Sequence, residues 1–188
     1  LFAADDILNE NPTETLILSY RDDGTKILRK RYRNFVLSWF AFNTGQDMAK
    51  IQANPALLDR LATHCFTKDS NGEIEIAHNR AHFFCGTASA RTGGRGGVLQ
   101  KLLFSEAAHY PDSENMQAKE IIEGTLRQVD IDSGWVFMES TANGYGNHFE
   151  KLESSANKGE SRFKSYFYGW KEFYTKDDYA KIQSEFID

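Results

Sequence analysis

The sequence predicts an α/β fold, a sheet with helices packed on both faces. Short apolar runs of strand length alternate along the chain with longer stretches whose apolar residues recur every three or four positions. Two of the apolar runs end in unusual polar groups, at Ser105-Glu106 and at Ser140-Thr141-Ala142-Asn143. Sheets of this class gather function at the carboxyl ends of their strands. Hydrophobic residues make up 40% of the 188 positions, which suffices for one domain with a sizeable core.

Taken in order, Phe2 to Leu8 reads as the end of a helix, followed by a turn around Pro12. Thr15 to Tyr20 is an apolar run suited to a buried strand. A long amphipathic helix runs from about Gly24 to Phe40, with Leu28, Tyr32, Phe35, Val36 and Trp39 at helical spacing. Its other face carries Lys26, Arg29, Lys30 and Arg33, a pattern of a solvated face that also suits phosphate contacts. Asn54 and Pro55 open the next helix as N-cap and first helical residue, with Leu58, Leu61 and Cys65 inward. Glu73 to His78 alternates polar and apolar, predicting a strand with one wet face. Ala81 to Cys85 is its hairpin partner across Asn79 and Arg80. After a glycine-rich loop, Lys101 to Phe104 reads as a buried strand, Gln117 to Val129 as a helix with Ile122, Leu126 and Val129 inward, and Gly134 to Ser140 as another buried strand. Gly146 to Asn157 is a helix stopped near Gly159. Arg162 to Trp170 is an aromatic strand, with Tyr166, Phe167, Tyr168 and Trp170 suited to a core, and a last helix starts at Asp177.

The formal net charge of -5 argues against a protein that coats nucleic acid uniformly. Cys65 and Cys85 are too few and too far apart for a disulfide scaffold or a zinc site, and they suit a reduced compartment. The five histidines, at 64, 78, 82, 109 and 148, have no metal-ligand spacing. No apolar run approaches the length of a membrane span, and no signal peptide or internal repeat is visible. The opening at Leu1, without methionine, suggests a fragment.

Three segments carry chemistry. In LLFSEAAHYPD, Leu102 to Asp112, an apolar strand ends in an acidic residue, the form of a Walker B element. A strand of this kind holds its acid rigidly beside a nucleotide, and the second acidic position polarises the attacking water in phosphoryl transfer. Glu106 takes that position. Ser105 stands where an aspartate is usual; its hydroxyl can hold a magnesium-bound water but brings no charge. The same two residues also suit a plain helix N-cap. In FMESTANGYGNHFEKLE, Phe137 to Glu153, a strand ends in two hydroxyls and an amide before a glycine turn. Such groups can sense a terminal phosphate, or simply cap the next helix. In CGTASARTGGRGGVLQ, Cys85 to Gln100, glycines surround Arg91 and Arg95. A mobile arginine reaching a neighbouring subunit's nucleotide is worth about 10³ to 10⁵ in rate, although a plain solvent loop has the same composition. It is not a phosphate-binding P-loop, because no GK[ST] tripeptide occurs in the chain.

The ordered set resembles the ATPase motor domain of tailed-phage terminase large subunits. Its parts are the Gly-Arg loop, the strand ending in Ser105-Glu106, the ESTANG segment at 139–144, and the aromatic stretch from Gly159 to Tyr179. The resemblance covers roughly Leu1 to Tyr179. It implies a three-layer, additional-strand P-loop NTPase fold with a mostly parallel sheet, here lacking its first strand and its P-loop. The whole of 1–188 then reads as a partial ATPase domain without the family's C-terminal nuclease. It further implies that Glu106 and Ser105 are the Walker B pair, that Ser140, Thr141, Ala142 and Asn143 form the motif coupling hydrolysis to DNA movement, and that Arg95, or else Arg91, is a trans-acting finger. ATP and magnesium are the implied cofactors. Double-stranded DNA, a portal protein, a small terminase subunit and further copies in a ring are the implied partners, in the host cytoplasm. With no phosphate cradle, the 188 residues are expected to turn over little or no ATP alone, and a sheet lacking a strand is expected to be partly open or self-associating. Two other readings compete. A helicase-like remodelling ATPase shares the Walker B and coupling elements but needs a second RecA-like domain, and a degenerate prophage remnant would only bind or assemble. A motor requires the carboxylate at 106 and the hydroxyls at 140 and 141 to converge at one rim of the sheet.

Overall fold

The computed structural model describes residues 2–88, 97–114 and 117–168. Arg91, Arg95, most of the glycine-rich loop, Trp170 and the helix expected from Asp177 lie outside them. The chain divides into two compact units, Leu1–Gly144 and Tyr145–Asp188.

The first unit is a six-stranded sheet flanked by helices. Its strands are β1 (Glu14–Ser19), β2 (Phe66–Ser70), β3 (Glu73–Ile76), β4 (His82–Thr87), β5 (Lys101–Ser105) and β6 (Trp135–Glu139), in the spatial order β2-β3-β4-β1-β5-β6. The four strands β4, β1, β5 and β6 run parallel. β2 and β3 continue the sheet antiparallel at one side. The helices are α1 (Phe2–Leu8), α2 (Asp22–Asn43), α3 (Met48–Gln52), α4 (Pro55–Cys65) and α5 (Ala118–Leu126). Asn54 caps α4 by accepting from the backbone N–H of Ala56 and Leu57. The long helix α2 turns Tyr32, Val36, Leu37 and Ala41 inward against Ile17, Phe83 and Cys85. Tyr32 stacks on Phe83 with ring centroids 3.9 Å apart. Leu18, Leu102 and Phe104, alternating with that set along their strands, are fully buried on the opposite face.

A polar hub ties α1 to the sheet. Asp6, wholly buried, accepts hydrogen bonds from Thr13 Oγ1 (2.7 Å), Thr15 Oγ1 (3.0 Å) and Tyr32 Oη (2.7 Å), and pairs with Lys101. Burial, and after it the Asp6 charge, push the Tyr32 phenol far up, so it remains a donor.

Four expectations change. The strand over Glu73–Ile76 has no wet face, because Glu73 and Glu75 are buried and ion-paired, Glu73 with Lys68 (2.6 Å), Glu75 with Arg80 (2.5 Å) and His82 (2.6 Å). β6 is not a buried strand. It ends the sheet among the described residues, with Trp135 62% and Phe137 40% exposed. The basic face of α2 is partly neutralised, since Arg29 and Arg33 both pair with Asp69 of β2, the second at 2.7 Å, and Lys26 pairs with Asp22 at 2.6 Å. Residues 162–168 form no strand, and Tyr166, Phe167 and Tyr168 are exposed rather than core.

The second unit contains one described helix, α6 (His148–Asn157). Asn147 caps it by accepting from the Glu150 N–H at 2.9 Å. Gly159, at φ 73°, ends it in the left-handed conformation that glycine adopts without strain.

Candidate active site

The parallel strands β1, β5 and β6 end side by side, in register. Ser19 lies opposite Ser105, and Ser105 opposite Glu139. Beyond these last residues the chain leaves the sheet in three short polar segments, which makes this rim the natural place for chemistry.

Glu106 follows β5 directly and has φ 57° and ψ 44°, the left-handed region that a side chain rarely enters. A single 3-10 turn, Ala107–His109, then folds back. Strain of this kind persists only where surrounding contacts impose it, and it gathers at functional positions. Here it aims the carboxylate across to the end of β6. Glu106 Oε2 accepts from Ser140 Oγ (3.4 Å), Thr141 N (3.3 Å) and Thr141 Oγ1 (3.1 Å). The two segments are further joined by Ala108 N donating to Ser140 Oγ (3.1 Å) and by Asn143 Nδ2 donating to the Ala108 carbonyl (2.9 Å). Glu106, Ser140, Thr141 and Asn143 thus meet at one rim, while Ala142 lies between them in the chain without a polar side chain.

Ser105 is buried, and its hydroxyl donates to Glu139 Oε1 at 2.5 Å. A carboxylate therefore stands against the serine, although the serine itself brings no charge. Behind them, Tyr110 Oη donates to the Leu18 carbonyl at 2.8 Å. Burial, then the Glu139 charge, push that phenol well up and keep it a donor. His109 places Nε2 3.1 Å from Thr141 Oγ1 and 3.7 Å from Glu106 Oε2, and the ring of Tyr20, just past β1, lies 5.5 Å from its own.

The sequence does not by itself single out Glu139, His109 or Tyr20. Glu139 had a usable signal: the runs KLLFS and WVFME have equal length, and parallel strands in register bring their last residues together. His109 had a weaker one, since a residue three places after Glu106 returns to the same side of a 3-10 turn. Tyr20 had none.

No group of three or more His, Cys, Asp or Glu side chains able to hold a metal ion occurs among the described residues, while Ser105 and Glu139 together offer oxygen donors of the kind a hard cation takes. The rim also offers a carboxylate to a water molecule. It has no loop of backbone N–H groups of the phosphate-cradling type among the described residues.

No protein-family model and no curated protein matches the chain. Solved structures do. The large terminase of the thermophilic bacteriophage D6E is 11% identical with a TM-score of 0.52, over 95% of this chain and 38% of that one. The large terminase ATPase domain of Thermus phage P74-26 is 17% identical with a TM-score of 0.44, over 80% of this chain and 56% of that one. The chain thus spans well under half the length of the first, with which it shares a fold: a mixed α/β domain built on a mostly parallel sheet flanked by helices.

Proposed function

We propose that this chain is part of the ATPase motor of a phage terminase large subunit, which couples ATP hydrolysis to movement of double-stranded DNA into a procapsid. The observation that carries the proposal is the meeting of Glu106 with Ser140 and Thr141 at the carboxyl ends of two adjacent parallel strands. A water-orienting carboxylate is useful to a motor only if another element registers its state. Here the registering element is the segment after β6, whose backbone N–H and two hydroxyls all bind the one carboxylate oxygen.

In this reading Glu106 holds the attacking water and takes up its proton as the new bond to the γ-phosphorus forms and the bond to the departing ADP breaks. Ser105 and Glu139 are the residues that would hold a magnesium ion through water. ATP and magnesium, when bound, supply the phosphoanhydride and the positive charge that draws electrons from it. Ser140 and Thr141 bind Oε2 of the carboxylate while Oε1 faces the water, and when Glu106 takes up the proton their acceptor loses its charge. That loss shifts the end of β6, which is how hydrolysis would be passed on as movement. Arg95, or else Arg91, serves the same reaction in a neighbouring copy of a ring. Double-stranded DNA, the portal protein and the small terminase subunit are the partners, in the host cytoplasm. Because no GK[ST] tripeptide is present, the 188 residues alone are expected to be inactive.

The test is Glu106→Gln in the protein carrying its phosphate-binding loop. The amide keeps shape and some hydrogen bonding but cannot take a proton. Steady-state ATP hydrolysis should fall by about a hundredfold or more, with nucleotide affinity little changed. A loss of about tenfold or less would remove Glu106 from the water-orienting role.

A further inference from the structure

We propose that His109 is a positioning residue for the Glu106 carboxylate, acting through the hydroxyl of Thr141. The proposal rests on the reading of Glu106 as the water-orienting group. Thr141 Oγ1 has one proton and, among the described residues, two hydrogen-bonding neighbours, each at 3.1 Å: Glu106 Oε2 and His109 Nε2. An ionised carboxylate only accepts hydrogen bonds, so the hydroxyl proton belongs to Glu106. The remaining lone pairs of Thr141 then face the imidazole, which must donate from Nε2. A ring protonated only at Nδ1 would leave two acceptors competing for one proton.

The arrangement sets a direction. His109 fixes the rotation of the Thr141 hydroxyl, and the hydroxyl fixes Oε2 of Glu106. Every hydrogen bond to this carboxylate among the described residues ends on Oε2. Oε1 keeps its lone pairs for water. The imidazole is itself held, since the backbone of Ala107–His109 is a tight turn and the Tyr20 ring lies against it. Ser140 cannot replace it in this role. Its hydroxyl already accepts from Ala108 N, and it reaches Glu106 only at 3.4 Å.

Two measurements test this. In the 188-residue chain, ¹⁵N correlation spectra of the ring at pH 8 should show Nε2 protonated, and Thr141→Val should move the His109 ring resonances while the amide spectrum stays folded. In the protein carrying its phosphate-binding loop, His109→Ala should lower kcat by about tenfold through misalignment of the carboxylate. KM should stay within about twofold. His109→Gln, which can donate an amide proton to Thr141, should recover most of the loss. An unprotonated Nε2, or a His109→Ala enzyme within about twofold of the parent while Glu106→Gln is strongly impaired, would overturn the role of His109 and leave that of Glu106 standing. A mild effect of Glu106→Gln itself would instead overturn the reading on which this one rests.

Discussion

A carboxylate cut off from water survives in its charged form only if donors surround it, and Asp6 meets that condition with Thr13, Thr15, Tyr32 and Lys101. These partners come from the turn after α1, from β1, from α2 and from β5, so one side chain fixes four segments relative to α1. Replacing Asp6 by Asn keeps its volume but leaves the Lys101 cation buried, answered among the described residues only by Asp5 at 2.5 Å. The expected cost is about 3 kcal/mol, the low end for breaking a buried pair, because Asp5 still offers partial compensation. Adding Lys101→Met should recover most of it. Urea unfolding at constant m-value measures both, and a loss below about 1 kcal/mol for Asp6→Asn would show the hub to be incidental. Nothing in LFAADDIL distinguishes Asp6 from its neighbour Asp5, which is largely exposed, because the distinction is made by residues up to 95 positions away. The position of Glu106 at the end of β5 was legible for the opposite reason: an acid directly after an apolar strand is a local pattern.

Elements with a strong period were read correctly, and those whose burial depends on charge pairing were not. The long helix α2 and the capped helix α4 announce themselves through apolar spacing and through Asn54-Pro55. β2 does not, because only Phe66 of FTKDS is buried. The alternation in EIEI suggests one wet face, yet Glu73 and Glu75 are both buried among cations. Burial alone would push the Glu75 carboxyl up. Hydrogen bonds from His82 and Thr67 and the charges of His82 and Arg80 outweigh it and hold the group below its ordinary 4.5. A depressed carboxyl contributes stability that is present above 4.5 and lost as the pH falls through the folded value. Glu75→Gln should therefore destabilise the β2-β3-β4 side of the sheet at pH 7, by about 1–2 kcal/mol for the lost charged hydrogen bonds. The gap to the parent should close below pH 4.5. The comparison must be a difference, since burial pushes the neighbouring Glu14 carboxyl up and that group acts in the opposite sense. A gap that stays open well below pH 4.5 would contradict this assignment.

At the scale of the whole molecule, the fold class was legible because alternating strands and helices leave few topologies open. The division at Gly144 was not, because the glycine turn there reads in sequence as leading straight into a helix from Gly146, which in fact begins at His148, after its Asn147 cap. Both glycines there have positive φ, 71° and 85°, and Tyr145 between them is 99% exposed. Exposure alone does not make a cleavage site, because a protease needs several residues of extended backbone freed from their hydrogen bonds. Phe42 and Trp135 are also exposed, at 81% and 62%, but they sit in α2 and β6 with their backbones engaged. Limited chymotrypsin digestion should therefore cut first after Tyr145 and within Tyr166–Tyr168, and should spare Phe42 and Trp135. Mass spectrometry would identify a persistent product ending at Tyr145. That product keeps the whole sheet together with Glu106, Ser140 and Thr141, so its amide spectrum should retain the site's resonances. Early cleavage at Phe42 or Trp135, or loss of the Thr141 resonance from the product, would mean that the first unit does not hold its site unaided.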